Sequence, residues 1–184
     1  MRTHLRTGTA EIHEALHAHP WFAALAEGTL SPARYHVLME RLFGFYSSLD
    51  PVLLNAEKAL RPQIGTYCYA PRTPVLRGAT HGLAPGLAVP MPEVEDLAAF
   101  CGATYVVDGA VLGGAILARA MPPGADATYW TWCRIKGPAI WRAICQLLRE
   151  VEGDVNPSDA LDTAIATFAA FESWMDPAPH EAAA

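Results

Sequence analysis

An all-α, single-domain fold is what this sequence predicts, on three observations. Apolar residues recur at spacings of three and four through most of the chain. No stretch alternates apolar and polar residues long enough to make a strand. Clusters of Pro and Gly cut the chain into helix-sized pieces. A length of 184 residues suits one core, and 52% hydrophobic against 17% charged residues places much of the chain inside it. The expectation is a helical bundle over residues 1–176, then a Pro/Ala-rich tail at 177–184 that frays.

The elements follow in order. A first helix is expected from Arg2 to His19, stopped by Pro20, with Leu5, Ile12 and Leu16 on one face. A second starts with Ser31 as N-cap and Pro32 in the first turn. Tyr35, Leu38, Leu42, Tyr46, Leu49 and Leu53 carry it to about Leu60, with a kink or break at Pro51. Residues 61–92 are rich in Pro and Gly and read as a loop, with a short helix near Val75–Leu83. A third long helix runs from Glu93 to Ala120, its early carboxylates suiting the positive end of the helix dipole. A fourth runs from Asp126 to Val151, interrupted at Gly137-Pro138. The last starts at Asn156-Pro157 and places Leu161, Ile165, Phe168, Glu172 and Met175 along one side. Five or six main helices are expected.

Composition excludes some functions. The net charge of -6 leaves no basic stripe for nucleic acid. Arg2, His4, Arg6, Glu11 and Glu14 break up the first twenty residues, which do not read as a signal peptide, so the cytoplasm is expected. Cys68, Cys101, Cys133 and Cys145 form no C-x-x-C pair, and free, buried thiols are expected. Leu97–Ala118 is apolar apart from Asp108 and contains Gly109-x-x-x-Gly113, as a membrane-spanning dimer helix would. A charge at its centre costs about 2.5–3.5 kcal/mol on insertion scales. A buried bundle helix fits better, and no membrane span is expected.

The same helix carries the strongest functional signal. Gly102, Gly109 and Gly113 fall on one stripe, with Gly114 beside it. Each mid-helix Gly costs about 0.8–1 kcal/mol relative to Ala, so something must approach the bare backbone. Tight helix packing is one reading; a flat ligand lying against the helix is the other.

His13-Glu14-Ala15-Leu16-His17 matches H-E-x-x-H, in which two His bind zinc and Glu acts as base. A catalytic zinc site needs a third protein ligand, and Pro20 and Phe22 do not continue the extended motif. A single His on a half-apolar helix can instead ligate haem iron through its neutral imidazole. Propionates of such a haem would want cations, and Arg6, Arg134 and Lys136 are the candidates beside the alternative of solvated surface charges.

Two segments together resemble the haem oxygenase family. Leu5-Arg6-Thr7-Gly8-Thr9-Ala10-Glu11-Ile12-His13 is similar to its N-terminal L-R-x-x-T-x-x-x-H segment. Tyr105-Val106-Val107-Asp108-Gly109-Ala110-Val111-Leu112-Gly113-Gly114 is similar to its distal-helix pattern, Y-x-x-x-G-[DS]-x-x-G-G. Leu42-Phe43-Gly44-Phe45-Tyr46, Trp141-Arg142 and Thr167-Phe168 add similarity to the bacterial branch associated with bacteriophytochromes. The resemblance spans about residues 2–175.

It implies a helical bundle with haem between an N-terminal proximal helix and a Gly-rich distal helix. His13 would be the iron ligand and Arg6 a propionate contact, with Arg134 and Lys136 as further candidates. Gly109, Gly113 and Gly114 would lie over the distal haem face. The implied activity is O₂-dependent opening of haem to biliverdin, CO and iron, with electrons from a ferredoxin or reductase. One departure stands out. The residue after the first distal glycine, often Asp or a small polar residue in the family, is Ala110 here, which has no side-chain hydrogen bond to offer water. A haem-binding protein on the same fold that stores, senses or delivers haem without cleaving it is therefore the alternative.

Overall fold

A computed structural model of the chain describes residues 1–79 and 89–176; the tail at 177–184 and the end of the expected helix near Val75–Leu83 lie outside them. The described residues form eight helices and no strand. They are α1 (Arg2–Gly8), α2 (Ala10–Ala18), α3 (Pro20–Ala26), α4 (Pro32–Ala59), α5 (Thr73–Ala79), α6 (Leu97–Leu117), α7 (Thr128–Glu150) and α8 (Pro157–Met175).

The expected first helix is two, jointed at Thr9. The Thr9 hydroxyl donates to the Leu5 carbonyl at 2.8 Å, and its backbone sits at φ -101°, ψ 4°. Hydrogen bonding runs through the joint, since Thr9 N–H reaches Leu5 and His13 N–H reaches Thr9. Pro20 stops α2 as expected but also opens α3, a helix the sequence reading leaves out. Its N-cap is His19, whose Nδ1 accepts from the Trp21 N–H at 3.4 Å.

α4 starts as expected, with the Ser31 hydroxyl accepting from the Arg34 N–H at 3.3 Å. It does not break at Pro51 but runs unbroken for 28 residues. A helix-interior proline costs about 3 kcal/mol. Burial of Leu38, Met39, Leu42, Phe43, Leu49 and Leu53 along the same helix offsets that, at about 1.5–3 kcal/mol for each such side chain. The expected interruption at Gly137-Pro138 is likewise absent, and α7 is continuous. α6 begins later than expected because Asp96 is the cap, accepting from the Ala99 N–H at 2.8 Å; Glu93 and Glu95 precede the helix. α8 starts at the expected Asn156, whose side chain accepts from the Ser158 N–H at 3.1 Å.

α6 lies at the centre, packed most extensively on α7 and α8. It is the one described helix long and apolar enough to cross a membrane by length and composition. Its neighbours cover Phe100, Cys101, Ala103, Val107 and Val111. α6 and α7 are antiparallel: Gly114 faces Cys133, Gly137 faces Val111, and Gly109 faces Trp141. The Met1 amino group pairs with Glu152, just beyond α7, and the Arg2 guanidinium reaches Cys145 Sγ at 3.8 Å. The N-terminal segment thus starts at the far end of α7 and runs back along it, in the same sense as α6. The thiols are free, but only Cys101, Cys133 and Cys145 are buried; Cys68 is exposed, contrary to expectation.

Candidate functional site

The parallel run of the N-terminal helices and α6 sets the level of each candidate. The Thr9 side chain is a hydrogen-bond partner of the Tyr105 hydroxyl, which burial pushes up and which Thr9 and the Arg6 charge pull back. His13 lies four residues beyond Thr9, and Gly109 four residues beyond Tyr105. One helical turn along two parallel helices brings both to the same height.

The His13 ring stands edge-on to His17, with centroids 4.6 Å apart, and to Phe168 of α8 at 6.3 Å. Burial and then the His17 charge lower its pKa from 6.5, against an upward pull from Glu14. The residue keeps an exposed surface, so the ring is accessible, and the downward shift favours its neutral form. Those are the requirements for an imidazole that ligates a metal. No group of three or more His, Cys, Asp or Glu able to hold a metal occurs among the described residues. The H-E-x-x-H reading therefore gains no third ligand there.

The glycines of α6 divide into two sets. A methyl at Gly102 would run into the Ala160 carbonyl of α8, and one at Gly114 would lie 3.0 Å from Cys133 Sγ. Both serve helix packing. A methyl at Gly109 would touch only the Trp141 indole, at 3.4 Å, and one at Gly113 would meet nothing within 4 Å. The bare backbone of this stripe is open at one end and filled at the other. Ile116, three residues beyond Gly113, is 70% exposed, and Ile135 of α7 is 64% exposed. Ile116 thus leaves a large apolar side chain uncovered next to the open end, whereas Ile135 is on the face of α7 turned away from α6. Ala110 is also exposed.

Arg6 is exposed on α1, close enough for its charge to act on Tyr105. Arg134 and Lys136 are exposed on α7, flanking Ile135. Two shallow concavities lie elsewhere. One, of about 290 Å³, is lined by Leu54, Glu57, Lys58 and Arg61. The other, of about 580 Å³, has Asp96, Asp154 and Asp159 among its walls. Neither contains His13, Gly109 or Gly113.

The sequence reading misses a buried charge cluster behind Gly109. Arg72, fully buried, pairs with Asp108, which is 1% exposed. Asp108 also accepts from the Tyr67 hydroxyl at 2.6 Å. Asp50 of α4 accepts from the Tyr69 hydroxyl at 2.7 Å and from the backbone N–H groups of Arg72 and Thr73 at 2.9 and 2.7 Å. Burial pushes the Asp108 carboxyl up, while Arg72 and Tyr67 pull it back. The signal was present: a carboxylate in the middle of an apolar helix requires a buried counter-charge.

No family model, curated protein or solved structure matches this chain.

Proposed function

We propose that the protein takes haem as substrate between α2 and α6 and opens its ring, as a haem oxygenase. The observation that carries this reading is the shared level of His13 and Gly109, with the bare backbone at Gly113 one turn further on. A neutral imidazole on one helix and an open glycine face on its parallel neighbour are what a flat, iron-bearing ligand requires. His13 would hold the iron. Gly109 and Gly113 would let the ring plane approach the backbone, and Ile116 would cover its apolar edge. Arg6 would face a propionate, with Arg134 and Lys136 as the other cations. Trp141 lies over Gly109, so the substrate displaces or stacks on the indole.

Haem supplies the iron that activates O₂, and an electron donor such as a ferredoxin or reductase supplies the electrons. The protein's part is to hold, orient and restrict water. Ala110 leaves that last task to backbone groups, which can order a water without a side chain. A second reading, haem binding without cleavage, is favoured by Ala110 alone. The cytoplasm suits both.

The test is to add haem, then reductant, to the pure protein in air. Loss of the haem band with a bilin product supports cleavage. A band that persists supports the second reading. A protein that gives no haem spectrum overturns both.

A further inference from the structure

We infer that Asp108 and Arg72 are positioning residues that fix the backbone of α6 at Gly109 for the ligand described above. This rests on the haem reading and adds a role for residues that do not touch the ligand. Arg72 Nη2 pairs with Asp108 and also donates to the Val107 carbonyl at 3.2 Å. Tyr67 adds its hydroxyl to the other Asp108 oxygen. Three bonds thus converge on the two residues immediately before Gly109. Arg72 is itself held: its N–H and that of Thr73 both bond Asp50, in the middle of α4. The chain of contacts runs from the longest helix, through Asp50 and Arg72, to the start of the open glycine face.

Given Asp108, a counter-charge is required, but the pair as a whole adds little net stability. Replacing a buried ion pair by apolar residues of similar size is often neutral or stabilising. A fixed position accounts for the arrangement. Glycine has the greatest backbone freedom, and Gly109 and Gly113 lie on the part of α6 where neighbours fill least space. Packing on α7 holds one side of this stretch, and the bonds from Arg72 and Tyr67 fix it from the other.

The experiment compares wild type with the double variant R72M/D108L and with Y67F. It reads the melting temperature, the ferric haem spectrum, the C–O stretching band of the ferrous CO complex and the ratio of biliverdin isomers. The double variant is expected to fold, melt close to wild type and keep the ferric spectrum set by His13. Its C–O band is expected to shift and broaden, and its isomer ratio to change. Y67F is expected to shift the same band less. A folded double variant with the wild-type band and isomer ratio overturns the positioning role while leaving the haem reading intact. Should the double variant fail to fold, an unshifted band in Y67F overturns it. A wild-type protein without a haem spectrum overturns the haem reading, and this inference with it.

Discussion

Gly102 of α6 and Ala160 of α8 meet backbone to backbone, so that no side chain fits between them. Eleven positions on, Gly113 has nothing within 4 Å of where a side chain would begin. The same residue type on the same stripe therefore serves two purposes, and substitution separates them. Gly102→Ala should destabilise the haem-free protein by about 1–3 kcal/mol through overpacking. Gly113→Leu should leave it as stable or raise its stability by about 0.8 kcal/mol through helix propensity. Gly113→Leu should nevertheless impair O₂ binding or turnover of the haem complex. Thermal melts of both haem-free variants, with spectra of the complexes, check this. A strongly destabilised Gly113→Leu whose complex binds O₂ normally would count against a ligand at this face.

His13 and His17 stand ring to ring, yet only His13 also meets Phe168. His13→Ala should abolish the normal ferric spectrum, and His17→Ala should leave it nearly unchanged. The reverse order would assign the ligand to His17.

The His13 environment also sets a pH dependence. Its folded pKa lies below 6.5, so its contribution to stability is fully present above that value and is lost as pH falls through the lower, folded one. Haem-free wild type should therefore lose stability relative to His13→Gln as the pH falls below 6.5. Urea titrations at several pH values measure the difference; a constant gap would mean the imidazole is not shielded.

Arg6 acts on Tyr105 from α1. In the haem reading its guanidinium faces a propionate, a charge-assisted bond of about 1.5–3 kcal/mol. Arg6→Glu should weaken haem affinity or alter the orientation of the ring, read as the dissociation constant and the product isomer. No change in either would remove Arg6 from the site.

Asp50 caps the entry to α5 by accepting three bonds from Tyr69, Arg72 and Thr73. Asp50→Ala strands those donors, and each buried unsatisfied group costs about 1–3 kcal/mol. A loss of at least that size is expected in chemical denaturation, well above the effect of a surface change such as Glu40→Ala.

The sequence made the long helices legible where cap chemistry is conventional, as at Ser31 and Asn156. It did so less well where tertiary burial overrides a local rule. Pro51 and Pro138 stay inside helices because the flanking apolar residues are held by neighbours that no local window contains. α3 escaped notice because a histidine is not a usual N-cap. The glycine stripe was visible, but its division was not, because periodicity shows which residues share a face and not what stands opposite. The Arg72–Asp108 pair was hidden by its 36-residue separation and by the Pro-rich setting of Arg72, which reads as loop.

The order of the partners in that pair bears on how the molecule is made. Tyr67 and Arg72 both precede Asp108, and synthesis proceeds from the N-terminus. The counter-charge for α6 is therefore already part of the chain, and ahead of α6 in leaving the ribosome, when its carboxylate is added. A circular permutant beginning between residues 89 and 96 would reverse that order. It would release a 21-residue apolar helix with its acid unanswered, and aggregation during synthesis is the failure to look for, even where the finished fold is the same.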